Sequence, residues 1–311
     1  MDSGGSRPSM ATETSEARKC NPSTAAALTT VLLLSIATWN VQGLSVHEGD
    51  LKIELLIEQL ANANIDICAL QETKVTAAEE RSIKNSKLIL FDSQSRHYGL
   101  GFVISPRISR YVVSHERLSD RVAVLDVRMP TRNGQFKMFR FVNAYGPTSQ
   151  LARTSPIQLN FFYRQLSRAI RVPSRYEIFL LGDFNSKLGT LSMSEVDEGV
   201  ISQHVGRYGT GKRNSNGEHL LNFLVSNDLF AANTAFQHPC RHRTTRVGYI
   251  AKPGRSRFSK ETVPTFVQID FIICRRRSKC LFTNARSYEH PRTVLKSDHK
   301  LVSAQIFIII F

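Results

Sequence analysis

The sequence predicts a layered α/β or α+β domain, and three observations carry that prediction. Short runs rich in Val, Ile, Leu and Phe, bounded by Gly, Pro, Asn and Asp, recur from residue 31 to the C-terminus, as the strands of a mixed sheet would. Between several of them lie amphipathic segments with a helical period. No internal repeat is evident, and 311 residues suffice for one large domain with a substantial core.

Taken in order, residues 31–38 and 65–70 read as strands. Residues 52–62 between them read as a helix, because Ile53, Leu56, Ile57 and Leu60 fall at i, i+3, i+4 and i+7. Strands follow at 100–104, 122–127 and 136–142. Pro156 is suited to a first helical turn and introduces a helix over 157–170, after which 178–181 is again a strand. Residues 217–227 repeat the helical spacing through Leu220, Leu221, Leu224 and Val225, and the runs 267–273 and 301–310 complete the strand set. Residues 1–29 are rich in Ser, Thr, Ala and Gly and are expected to be a disordered tail, leaving 30–311 as the domain. The run 25–37 follows Arg18 and Lys19 and imitates a signal peptide, but cleavage near Ala37 would delete the first core strand.

Composition narrows the function. Hydrophobic residues are 41% and charged residues 22%, which excludes wholesale disorder, collagen-like repeats and coiled coil. No apolar run reaches the ~18–20 residues of a membrane-spanning helix, so no membrane partner is expected. The net charge of +15 creates a field that draws polyanions, nucleic acid first and an anionic membrane surface second. Five cysteines (Cys20, Cys68, Cys240, Cys274 and Cys280) without a C-x-x-C pair argue against a disulfide framework or zinc ribbon, and point to a reducing, nuclear or cytoplasmic setting. His238, Cys240 and His242 form H-x-C-x-H without a matching second half, so an ordinary basic loop is the simpler reading. From Cys240 to about Pro264 runs a basic excursion, including Arg241, Arg243 and Arg246 with Tyr249 and Phe258 interleaved. It is too polar for core, and as a loop or hairpin it suits a clamp on a nucleic-acid backbone or a solvated face. Arg275-Arg276-Arg277 with Lys279 is a second basic patch with the composition of a nuclear-import signal.

Polar residues stand at the ends of the apolar runs. Trp39-Asn40, Gln71-Glu72 and Gly182-Asp183-Phe184-Asn185 each close a strand, whereas Asp270 lies within the run 267–273 and Ser297-Asp298-His299 precedes the last strand. In a sheet whose early strands run opposite to its late ones, all of these meet at one edge. Asp183 and Asn185, two apart in an extended stretch, are expected to project to the same face. Gathering Glu72, Asp183, Asp270 and Asp298 would concentrate carboxylates that need compensation, and a divalent cation supplies it. Oxygen donors without a thiolate set favour Mg²⁺ or Mn²⁺ over Zn²⁺. His299 beside Asp298, with Asp270 across the cleft, forms an imidazole–carboxylate pairing suited to proton transfer, and Tyr145 in Asn143-Ala144-Tyr145-Gly146-Pro147 could reach a phosphate oxygen.

These motifs occur in the order shown by the endonuclease/exonuclease/phosphatase superfamily, over about residues 34–308, and the chain resembles that superfamily. Within it, residues 36–44 and Gly206-Arg207-Tyr208-Gly209 followed by Asn216-Gly217-Glu218 resemble the apurinic-type endonuclease domains of non-LTR, LINE-like retrotransposons and their craniofacial-development-protein-like relatives. The resemblance implies a four-layered, DNase I-like α/β sandwich and an Mg²⁺-dependent phosphodiesterase acting on DNA as a monomer. It implies that Asn40 and Glu72 hold the metal with Asp298 nearby, and that Asp183 positions or deprotonates the attacking water. Asn185 and Tyr145 would contact the scissile phosphate, and His299 with Asp270 would form the dyad that stabilises charge or exchanges a proton. Whether Asp183 or His299 is the base stays open. The expected product is a nicked strand with a 3′ hydroxyl and a 5′ phosphate. Abasic-repair relatives carry Asp where this chain has Gln42, which argues against efficient abasic repair. No reverse-transcriptase segment follows, as expected for a piece of an element or a free-standing domain. The competing readings are a phosphatase acting on phosphoinositides or other phosphate esters, and a nucleic-acid-binding remnant without catalysis.

Overall fold

The computed structural model describes residue 1 and residues 30–44, 51–130, 135–253, 260–289, 295 and 297–310. The expected tail therefore lies outside the described residues, apart from residue 1. Seven strands form the first sheet: β1 (Thr30–Asn40), β2 (Ile67–Gln71), β3 (Glu79–Ile83), β4 (Ser86–Leu90), β5 (Leu100–Ile104), β14 (Phe282–Tyr288) and β15 (Leu301–Ile310), in the order β14-β15-β1-β2-β5-β4-β3. Six form the second: β6 (Val112–Ser119), β7 (Val122–Pro130), β8 (Phe136–Tyr145), β9 (Glu177–Asp183), β10 (Leu229–Ala231) and β13 (Asp270–Arg275), in the order β10-β13-β9-β8-β7-β6. The basic excursion is a separate hairpin of β11 (Arg246–Pro253) and β12 (Lys260–Val267).

The two sheets face each other and helices cover their outer faces, because the inner strands bury both of their sides. In β2, Ile67 and Ala69 point into the central core with Phe102, Phe141, Phe179 and Leu181, while Cys68 and Leu70 point outward. There they meet Leu56, Ile57 and Leu60 of α1 (Leu51–Asn62). On the far side, Val142, Ile178 and Leu180 meet Phe162 and Leu166 of α4 (Pro156–Ala169), and Leu220 and Leu224 of α6 (Ser215–Ser226). Strands covered on both faces read as continuous apolar runs, which is why they were legible as strands. Three shorter helices, α2 (Pro106–Ser109), α3 (Ser149–Thr154) and α5 (Met193–Glu198), connect the layers. The result is a helix–sheet–sheet–helix sandwich.

The register places the polar strand ends together. β1 and β2 are parallel with Asn40 opposite Gln71, and β8 and β9 are parallel with Tyr145 opposite Asp183. β15 and β13 run antiparallel to their neighbours, so Asp270, at the start of β13, pairs with Asp183, at the end of β9. The rim belongs to two sheets rather than one. A buried polar chain pins them together beneath it: Thr38 Oγ1 donates to Gln71 Oε1 (3.0 Å), Gln71 Nε2 to Asn143 Oδ1 (2.7 Å), and Asn143 Nδ2 to the carbonyls of Leu70 and Gly101.

Two local expectations are corrected. The run 267–273 is not one strand: Thr245 Oγ1 captures the backbone N–H groups of Ile269 and Asp270, ending the hairpin at Val267 and starting β13 at Asp270. Asn185 does not continue an extended stretch beyond Asp183. Its φ of 49° lies in the left-handed region, and its N–H turns back to Asp183 Oδ1 at 2.8 Å.

Candidate active site

Each strand exit delivers a polar side chain by leaving the sheet abruptly. Gln42, Glu72 and Asn185, just past β1, β2 and β9, have φ values of 51°, 51° and 49°. Left-handed non-glycine residues cost of order 1–3 kcal/mol each and persist where surrounding structure fixes them. Here the fixing groups are visible. Ser297 Oγ donates to the Asn40 carbonyl at 2.6 Å and accepts from His299 N–H, tying the Ser297-Asp298-His299 segment to the β1 exit. Asn216 Nδ2, from the first turn of α6, donates to the carbonyls of Pro147 and Asn185. A Cβ on neighbouring Gly217 would lie 1.8 Å from the Lys187 carbonyl oxygen, so only glycine allows that approach.

The rim has a buried centre. Asp183, Asp270 and His299 are all at most 3% exposed. His299 Nδ1 lies 3.0 Å from Asp270 Oδ1, its Nε2 lies 3.7 Å from Asp183 Oδ2, and ligand atoms of the three lie within 4.8 Å of one another. Burial, reinforced by the charge of Asp270, pushes Asp183 up to about 7. Burial opposes the imidazolium of His299, but attraction from Asp270 and then Asp183 outweighs it and lifts the group to about 9.

Asn40 joins this centre to Glu72. Its Nδ2 donates to Glu72 Oε1 (2.9 Å) and to Asp183 Oδ2 (3.1 Å), while its Oδ1 accepts from Gln42 N–H. Tyr145 donates its hydroxyl to the same Glu72 Oε1 at 2.8 Å. Burial first, and then the charge of Glu72, raise the Tyr145 phenol, so it remains a donor. On the other side of His299, Asp298 is more open. Gln42 Nε2 donates to its Oδ1 (2.7 Å) and Gln42 Oε1 accepts from its N–H (3.2 Å), while Arg246 Nε donates to Oδ2 (2.8 Å). Gln42 thus brackets Asp298 with a neutral amide where a carboxylate would repel it.

All eight residues expected at the catalytic or metal position therefore form one connected network. Asn185 joins it through Asp183 and through Nδ2, which donates to the Gly146 carbonyl at 3.0 Å. Of the three expected substrate arginines, Arg246 reaches this network. Arg243 Nη1 donates to the Tyr208 carbonyl and Arg241 Nε to His242, so neither side chain is engaged with the catalytic groups. The β11–β12 hairpin stands between two grooves. One, of about 470 Å³, is lined by Asn185, Lys187, Asn214, Arg246, Tyr249 and Asp298. The other, of about 300 Å³, is lined by Tyr249, Phe266, Asp298, His299 and Lys300.

Sequence reading quoted Gln71, Asn143 and Asn216 only as members of motifs and passed over Thr245 and Arg121; the support each gives this site runs through contacts to backbone and amide groups far away in the chain, which no local pattern advertises. The H-x-C-x-H cluster does not converge: His238 bonds Asn284 and His242 bonds the Ser287 carbonyl. The Arg275–Lys279 patch lies in and beside a 3₁₀ turn, where Arg276 pairs with Asp228 and Arg277 donates to the Tyr176 carbonyl.

The family model for the endonuclease/exonuclease/phosphatase family matches residues 37–299, spanning every residue of this network. The chain belongs to that family. It is 28% identical over 274 residues to craniofacial development protein 2 of Bos taurus, covering 87% of this chain and 40% of that protein. The chain spans about two fifths of the length of the curated relatives it matches. Among solved structures, the family fold is shared with the APE2 catalytic domain of Xenopus laevis (TM-score 0.60, 16% identity, 88% of this chain and 93% of that one). It is shared also with the endonuclease domain of TRAS1, a telomere-specific non-LTR retrotransposon (TM-score 0.54, 14% identity, 88% and 98%). The four-layered sandwich and the family resemblance expected from the motifs are both borne out. The fold is that of a family of phosphodiester-bond hydrolases and related phosphatases.

Proposed function

We propose that this chain is a divalent-metal-dependent DNA endonuclease that nicks one strand, using Mg²⁺ or Mn²⁺. The observation that carries the reading is the meeting of Asn40, Glu72, Tyr145, Asp183, Asp270 and His299 at one rim, from strands of both sheets. The residues fit a hard cation in their chemistry: Glu72, Asp183 and Asp298 are carboxylates and Asn40 is an amide, and ligand atoms of Asp183, Asp270 and His299 lie within 4.8 Å of one another. Glu72 and Asn40 would hold the ion, with Asp298 close to His299 on the opposite side. When bound, the ion supplies Lewis-acid polarisation of the scissile phosphate.

The remaining steps belong to the side chains. Asp183, lifted to about 7, accepts the proton of the attacking water, with Oδ1 fixed by Asn185 N–H. His299, held as imidazolium up to about 9 by Asp270, presents Nε2 as positive charge to the phosphate. On this reading Asp183 is the base and His299 stabilises charge. Asn185 and Tyr145 contact the phosphate oxygens. The P–O3′ bond breaks and the leaving O3′ takes its proton from solvent water, leaving a 3′ hydroxyl and a 5′ phosphate. Arg246 and the basic surface carrying Arg241 and Arg243 draw in the DNA backbone, consistent with the net charge of +15. The likeness to a retrotransposon endonuclease domain supports target-site nicking as the biological form of the reaction.

The test is conversion of supercoiled plasmid to nicked circles by the purified chain across a metal titration. Nicking with Mg²⁺ or Mn²⁺, stopped by EDTA and lost in the Asp183→Ala/His299→Ala double variant, is expected. Persistent activity in that variant refutes the site. Hydrolysis of soluble inositol phosphates with plasmid untouched replaces the reading with a phosphatase, and salt-sensitive DNA binding without cleavage replaces it with a binding remnant.

A further inference from the structure

Arg121 stands at the turn between β6 and β7 and is only 9% exposed. A buried guanidinium is ordinarily kept by a carboxylate, because its charge is costly to desolvate. Neighbouring Asp120 pairs with Arg117 instead, and among the described residues no carboxylate pairs with Arg121. Its Nη1 donates to two backbone carbonyls, those of Tyr145 and Gly146, both at 3.2 Å. Its Cζ lies 4.2 Å from the ring centroid of Tyr98 and 5.1 Å from that of Tyr145. Tyr145 N–H in turn donates to the Arg121 carbonyl at 2.9 Å.

These contacts fall where two catalytic strand exits touch. The Gly146 carbonyl accepts from Arg121 and also from Asn185 Nδ2, and Gly146 N–H donates to the Asp183 carbonyl at 2.7 Å. A Cβ at Gly146 would lie 2.3 Å from the Phe184 carbonyl oxygen, so the two exits meet at backbone contact. Beyond the stack, the Tyr145 hydroxyl sits on Glu72.

We propose that Arg121 is a positioning residue of the catalytic centre, locking the Tyr145–Gly146 exit of β8 onto the Asp183–Asn185 exit of β9 and aiming the Tyr145 phenol at Glu72. The guanidinium performs both tasks at once: Nη1 bridges the two carbonyls while Cζ lies over two aromatic rings. A lysine ammonium, a compact point charge, offers no planar face to stack on the rings. The proposal rests on the nuclease reading of this rim.

Plasmid nicking with Mg²⁺ by the native chain, Arg121→Met, Arg121→Lys, Tyr145→Phe and the Arg121→Met/Tyr145→Phe double variant tests it, alongside DNA affinity by fluorescence anisotropy. Arg121→Met lowers kcat by about 10²-fold, the scale of a misplaced catalytic group, with DNA affinity and KM unchanged. In the Tyr145→Phe background the same change costs only a small fraction of that factor, and Arg121→Lys recovers little. Equal losses in both backgrounds, or a loss seen in DNA affinity instead of kcat, overturn the assignment. Should Arg121→Met fail to fold, Tyr98→Leu removes one face of the stack and leaves the carbonyl bonds. A kcat loss from it that is smaller in the Tyr145→Phe background supports the proposal, and one that is equal in both overturns it. A native chain that nicks nothing with any divalent metal instead overturns the nuclease reading together with this inference.

Discussion

Asp270 and Asp298 are both carboxylates beside His299, and their surroundings are opposite. Asp270 is buried at the start of β13, with its N–H taken by Thr245 and its carbonyl accepting from Asn233. Its side chain faces His299 Nδ1 with both oxygens. The side chain of Asp298 is 29% exposed and is shared between an amide and a guanidinium. Low dielectric and fixed geometry make the first a strong electrostatic partner, whereas solvent and Arg246 temper the second. One residue type, placed at two depths around one imidazole, is thereby given two roles.

Substitutions should separate the two depths. In the buried centre, Asp183→Asn removes the base and is expected to lower kcat by about 10³-fold or more, with DNA affinity by anisotropy retained. Asp270→Asn follows, with a loss of about 10²-fold and a pH–rate profile whose alkaline limb moves down from about 9, because the attraction that lifts His299 is gone. An alkaline limb that stays in place would put the source of the His299 shift elsewhere. At the open corner, Arg246→Gln frees one Asp298 oxygen and is expected to change thermal stability by less than about 1 kcal/mol, as half-exposed ion pairs do. It should weaken DNA binding and flatten its salt dependence, read from anisotropy across a salt series. A loss from Arg246→Gln as large as that from Asp270→Asn would erase the distinction.

Stability against pH sharpens the same contrast. The folded state raises His299 from an ordinary 6.5 to about 9, so the stabilisation is fully present below pH 6.5 and is lost as pH rises through 9. Asp183, raised from 3.8 to about 7, acts in the same sense at lower pH, its share fading between those values. Melting temperature measured in EDTA should fall from pH 6.5 to 9, and His299→Gln should flatten that slope. Asp298→Asn should change it less than Asp270→Asn.

The parts of the fold that were legible share one physical property. β5 was read with its observed bounds, and α1, α4 and α6 to within about two residues, because those elements bury apolar faces with a clear period. The four edge strands, β3, β6, β10 and β14, went unread, and so did the short inner strand β4. β3 is EERSI and β14 is FTNARSY, polar sequences that leave an exposed edge unattractive to pairing, and β10 is only three residues long. Of the residues that meet at the rim, motif order singled out Asn40, Glu72, Tyr145, Asp183, Asn185, Asp270, Asp298 and His299. The backbone turns at Gln42, Glu72 and Asn185, and the division of the site between two sheets, carry no comparable signal.

The sequence alone determined that apolar strands and helices alternate, that acidic, amide and imidazole groups sit at their ends, and that the surface is basic. Side-chain chemistry and periodicity are local, so they survive being read along a line. Only the tertiary structure decided that Asp183 faces Asp270 across β9 and β13, that Gln42 and Arg246 share Asp298, and that Arg121 sits between two tyrosines on the Tyr145 and Gly146 carbonyls. Those relations depend on strand register and sheet-to-sheet packing, which join residues far apart in the chain.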